Sequence, residues 1–170
     1  ATFLSSLPPQ KTYSGLGIDI GQNLNFEDDI DPQRPFLSQR RYALLSTRYT
    51  KTSVITEPLS WGSGFHRVRN SNFHIIENLY LFHIGCVDLN RLKSKISDKD
   101  KIESGWSRHL NKRAKTIKII TGGEARSWDR FIPIARTLQQ RIRKIQAWNK
   151  PAMFGWKIIV KIPDRFSNMF

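Results

Sequence analysis

Apolar positions along this chain cluster in short runs, and their spacing changes from run to run. Gly15-Leu16-Gly17-Ile18-Asp19-Ile20 leaves room for a short strand over Gly17–Ile20, within a Pro-, Gly-, Asn- and Asp-rich opening of 36 residues. Leu37, Arg41, Leu44, Leu45 and Arg48 share one side of a predicted helix over Leu37–Tyr49. Ser53–Thr56 is short and β-branched, a buried strand ended by Pro58. Leu79–Val87 carries the strongest strand pattern, and Asp88 or Asn90 can cap a helix whose apolar face is Leu89, Leu92 and Ile96.

Further on, Lys115–Thr121 has enough β-branching for a strand, closed by Gly122-Gly123. Ile134, Leu138, Ile142 and Ile145 keep helical spacing over Pro133–Trp148, with Pro133 suited to the first helical position. Trp156–Ile162 reads as an edge strand. The pattern is α/β, in one domain: residues 1–90 form the core and residues 91–170 a basic helical C-terminal appendage.

Composition sharpens this division. The net charge is +14, yet residues 1–90 hold 8 Lys+Arg against 8 Asp+Glu, so residues 91–170, with 20 against 6, carry the whole excess. Such asymmetry points to an anionic partner: nucleic acid, an anionic lipid surface or phosphate groups. Trp106, Trp128, Trp148 and Trp156 lie among those cations, a mixture used by single-strand binders, although no recognised nucleic-acid motif is legible. Hydrophobic residues at 39% suit a folded chain, and the lone Cys86 precludes an internal disulfide and reads as a small buried thiol. No run approaches the ~18–20 apolar residues of a membrane span. The sequence starts without Met, as a processed chain or a piece of a longer one would.

Candidate chemistry is scattered. There is no Walker loop, GxGxxG, His-x-x-x-His pair or zinc-finger spacing, and no catalytic constellation is complete. His66 leaves a glycine-bearing loop beside Arg67 and after Trp61, where backbone N–H groups can approach a phosphate. His83 lies within a strand, either as a core histidine or as one ligand of a metal whose carboxylates come from elsewhere. Arg40 and Arg41 adjoin the face of the predicted helix, and Asp29-Ile30-Asp31 is textually an acid-x-acid pair in a loop between prolines.

The order of several short segments resembles the C-terminal part of bacterial family-2-like glycosyltransferases of GT-A fold. Those segments are Gly17–Asp19, Asp31-Pro32, Gln39–Tyr42, Ser53–Pro58, Gly64–His66, Leu79–His83 and Ile162-Pro163. The resemblance implies a partial GT-A-like mixed sheet flanked by helices, the acceptor-side half of an enzyme that uses a nucleotide-sugar donor. It implies that His83, with His66 second, helps to hold Mn2+ or Mg2+ on the donor diphosphate. His66, Arg67, Trp61, Arg40 and Arg41 would then contact substrate, and an anionic lipid or phosphorylated acceptor would meet the basic half at the cytoplasmic side of a membrane. The family's N-terminal nucleotide-binding half and its catalytic base have no counterpart here. The alternative is a basic nucleic-acid-binding domain without enzymatic activity.

Overall fold

Six strands form one mixed sheet in the computed structural model, which describes residues 2–7, 12–45, 49–61, 68, 74–145 and 158–169. At its centre is β1 (Thr12–Gly21), buried along its whole length. On one side β1 pairs in parallel with β4 (Ile75–Cys86). On the other side lie β2 (Tyr42–Leu45) and β3 (Lys51–Ile55), end to end and antiparallel to it. Next to β2 comes β6 (Ile159–Lys161), antiparallel, and then β5 (Ala125–Ser127), parallel to β6. The chain is therefore α/β, as the hydrophobic pattern implied, and its sheet is mixed.

Alternation along β1 decides the two faces of the sheet. Leu16, Ile18 and Ile20 enter one apolar cluster with Ala43 and Leu45, with Val160 and Ile162 at the end of the chain, and with Trp128, Ile132 and Ala135 of α6 (Trp128–Ile145). The opposite face of β1 carries Gly15, Gly17, Asp19 and Gly21, so Asp19 is its one side chain over that stretch. Against that face lies α5 (Ser107–Gly122), which shares a second cluster of Leu92, Leu110 and Ile117 with α3 (Leu89–Ile96). Between α3 and α5 runs α4 (Lys99–Glu103); one-turn helices α1 (Thr2–Ser5) and α2 (Phe36–Gln39) complete the set. Among the described residues no helix is long and apolar enough to cross a membrane.

Four expected elements differ. The helix over Leu37–Tyr49 is replaced by α2 and the strand β2: Arg40 is already extended (φ −127°, ψ 99°) and Ala43 and Leu45 are buried in strand alternation. Its backbone partners are distant ones, since Arg41 N–H donates to Glu27 and Ile162 N–H to the Arg41 carbonyl. The strand over Lys115–Thr121 lies inside α5, because Leu110, Ile117 and Ile120 are buried at helical spacing from an earlier start. The terminal strand is interior, between β2 and β5, and α6 begins at Trp128, so Pro133 lies within the helix. The basic second half, expected as an appendage, thus supplies two strands and a core helix.

In β4, Ser14 pairs with Ile75 but Leu16 with Tyr80, so β4 bulges between them. Asn78 has φ 61° there, a conformation that asparagine tolerates better than most side chains.

Candidate functional site

The parallel register sets Asp19 directly beside His83. Asp19 Oδ1 lies 2.7 Å from His83 Nδ1, with the carboxylate buried and the imidazole partly exposed. A carboxylate only accepts hydrogen bonds, so Nδ1 carries the proton in this pair. In a neutral ring Nε2 is then the bare nitrogen, able to act as a ligand or base. Tyr49 stacks on the imidazole with ring centroids 3.5 Å apart and planes 13° off parallel. The next residue, Thr50, accepts a 2.8 Å hydrogen bond from Gly17 N–H, which pins this stretch onto the glycine face.

A fourth group comes from α5. The backbone at Gly85 is overlain on the same face by the His83 ring and the Arg113 guanidinium. A Cβ there would lie 2.5 Å from His83 Cε1 and 3.1 Å from Arg113 Cζ, so a larger residue would force these side chains to shift. Arg113 Nη1 donates to the Gly85 carbonyl at 3.4 Å, while its Nε is buried with no partner among the described residues. An acid, an imidazole, a phenol and a guanidinium from four parts of the chain therefore meet on one sheet face near the carboxyl ends of two parallel strands. In open α/β sheets that end is where ligands bind.

Arg40 and Arg41 are placed elsewhere. Arg40 is fully buried; its Nε donates to the Val87 carbonyl and Nη1 to the carbonyls of Asp28 (2.8 Å) and Gln39 (3.0 Å). Nη2 lies 3.8 Å from Asp88 Oδ2. Burial pulls the Arg40 pKa below the ordinary arginine value, against the pull of Glu27 and Asp88. Burial raises the Glu27 carboxyl, even though it accepts from Arg41 N–H and Asn23 N–H. For Asp88 the balance is reversed. Burial opposes its charge, but N–H groups of Arg91 and Ile30 and the Arg40 charge together hold it below the usual carboxylate range. Arg41 Nε and Nη2 both donate to the Ile162 carbonyl, at 3.0 and 2.8 Å. Both arginines therefore staple backbone segments, and they also line a polar cleft of about 380 Å³ with Glu27, Asp29, Tyr42 and Lys161.

Trp61 forms a bridge with Val68, so the chain closes on itself on either side of 62–67. His66 and Arg67 lie outside the described residues, as do Trp148 and Trp156. Trp128 is buried against Tyr80, Phe82 and Phe166 and offers no stacking surface, whereas Trp106 is half exposed, edge-on to His109. In the acid-x-acid segment, Asp29 accepts from Asn90 Nδ2 (2.7 Å) and Asp31 from Gln33 N–H (2.9 Å). Among the described residues no three His, Cys, Asp or Glu side chains gather around one point that could hold an ion.

Asp19, Tyr49 and Arg113 were not singled out from sequence. The available signal was the alternation of glycine with apolar residues around Asp19, which leaves one acid on an otherwise bare strand face. Comparisons with protein-family models, with curated proteins and with solved structures gave no match.

Proposed function

We propose that this chain is the acceptor-side portion of a GT-A-like glycosyltransferase, in which His83 meets the diphosphate region of a nucleotide-sugar donor. The Asp19–His83 pair carries the reading. Two short segments behind the family resemblance, Gly17–Asp19 and Leu79–His83, lie in register, and the first supplies the carboxylate that orients the imidazole of the second.

Transfer of a sugar requires that charge on the departing diphosphate be neutralised as the glycosidic bond to it breaks. Arg113, whose Nε has no partner, and His83 are the cationic and nitrogen groups at this face. The described residues offer one oriented imidazole and no cluster of three donors around it. His83 would contact, through Nε2, a Mn2+ or Mg2+ ion that arrives with the diphosphate and would neutralise charge on that leaving group. The alternative, a nucleic-acid-binding domain, has the basic charge and the half-exposed Trp106 in its favour, but Trp128 is spent in the core.

The test is thermal unfolding with UDP or GDP, with and without Mn2+. A ligand at a hundredfold excess over its Kd stabilises the folded chain by about 2.7 kcal/mol. The stabilisation should need both nucleotide and metal, vanish in His83→Ala, and weaken by about 10–100-fold in apparent affinity in Asp19→Asn, as loss of an orienting partner does. A wild-type chain indifferent to nucleotide and metal, or a His83→Ala variant that responds like wild type, would sink the proposal.

A further inference from the structure

On another surface, α5 and the α6 side of the sheet bound an open groove of about 910 Å³. Its wall is apolar, formed by Ile119, Phe131, Ile158 and Ile159. Gly123 keeps that wall continuous, because a Cβ there would lie 2.3 Å from Ile159 Cδ1. Two exposed lysines, Lys115 and Lys118, stand beside it, and among the described residues neither has an ion-pair partner. Arg126 also lines the groove but is paired with Glu124 at 3.2 Å, so the uncompensated charge is that of the lysines.

We infer that this groove holds an anionic lipid, with its phosphate on Lys115 and Lys118 and its acyl chain along the isoleucine–phenylalanine wall. Charge complementarity selects an anion, and the wall selects one with a tail. A bare phosphate leaves the exposed parts of Ile119, Phe131 and Ile158 wet, whereas an alkyl chain covers them. A nucleotide or oligonucleotide fits less well, since the wall has one aromatic ring and few groups that could read a base. The inference does not rest on the transferase reading, because neither lysine touches the Asp19–His83 face.

The experiment is calorimetric titration of the full chain with decyl phosphate below its micellar concentration. Inorganic phosphate and the neutral decyl maltoside serve as the two half-ligands. Decyl phosphate should bind saturably with one site, and Lys115→Glu/Lys118→Glu should weaken it at least about tenfold, as expected for two reversed charges near the headgroup. The charge-matched Lys93→Glu/Lys95→Glu variant on α3 should change it by no more than about twofold, because distant charges are screened at 0.15 M salt. All four lysines are exposed, and circular dichroism checks that both variants fold. Three outcomes would each overturn the inference. Equal losses in both variants would reduce the effect to net charge. Inorganic phosphate binding as tightly as decyl phosphate would make the wall irrelevant. A single-stranded oligonucleotide that binds more tightly, and is lost in Lys115→Glu/Lys118→Glu, would make the groove a nucleic-acid site.

Discussion

Two carboxylates face one buried guanidinium, and they respond to pH in opposite directions. Asp88 titrates below its ordinary 3.8 in the folded chain, so its contribution is present above that value and is lost as pH falls through the folded pKa. Glu27 titrates above its ordinary 4.5, so its contribution is present below 4.5 and is lost as pH rises through the folded pKa. Asp88→Asn keeps a capping oxygen for Arg91 N–H but leaves Arg40 short of a countercharge; removing one partner of a buried pair costs about 3–5 kcal/mol. Urea denaturation should show that deficit at pH 7 and a smaller one at pH 3. For Glu27→Gln the comparison with wild type should move in favour of the variant between pH 4 and pH 7. A pH-independent gap in either case would mean that the charge is not what these sites respond to. Gly85 poses a steric question instead. Gly85→Ala drives a methyl into the His83 ring and the Arg113 guanidinium, and such overpacking costs about 1–3 kcal/mol. If the ring is the obstacle, Gly85→Ala should cost less in a His83→Ala background, a coupling that a double-mutant cycle reads directly.

Among elements, α6 breaks the rule by which it was first read. Pro133 fits the first turn of a helix, yet the helix starts at Trp128 and the proline is its sixth residue. Its missing N–H leaves the Asp129 carbonyl without an in-helix partner, a defect worth up to about 3 kcal/mol in a helix interior. Pro133 is exposed, so Pro133→Ala should raise stability without disturbing packing, by an amount that denaturant unfolding resolves. No gain would mean that the ring holds a bend the sheet requires. The start was missed because Trp128, Ile132 and Ala135, which bury the first turns, precede and straddle the proline that looked like a boundary. The same weakness of short windows explains α5 and β2. Lys115–Thr121 is β-branched enough to suggest a strand, and only the period set by Leu110 shows the helix. Tyr42–Leu45 is too short for its period of two to prevail over the leucines before it, and its partners lie far away in sequence. The strands over Gly17–Ile20, Ser53–Thr56 and Leu79–Val87 were legible because alternation or β-branching is local. His83 was legible as a strand histidine, but Asp19 meets it through the parallel pairing of β1 with β4, and Tyr49 and Arg113 from the segment before β3 and from α5, none of which spacing along the chain encodes.

At the scale of the whole molecule, the dominant quantity is charge. The excess of 14 positive charges belongs to residues 91–170, yet the described strands and helices of that half are built into the same sheet and core as the neutral half. Folding therefore holds the cations of α3 and α5 close together rather than on a separate tail. Like-charge repulsion then works against the folded state, and added salt relieves it, because the Debye length shrinks from about 30 Å at 0.01 M to about 8 Å at 0.15 M. The melting temperature should rise between 10 mM and 150 mM NaCl, by about 2–4 °C for each kcal/mol of repulsion removed in a chain of this size. Preferential exclusion of salt would also raise it, but that effect grows at molar concentrations and does not depend on surface charge. Lys115→Glu/Lys118→Glu lowers the net charge from +14 to +10 and should flatten the salt dependence between 10 and 150 mM while leaving the molar-salt response unchanged. A melting temperature that falls with salt would mean that attractive pairs such as Lys101–Asp98, Arg126–Glu124 and Arg165–Asp129 outweigh the net excess, so that the basic half is stabilised by its few acids rather than strained by its many bases.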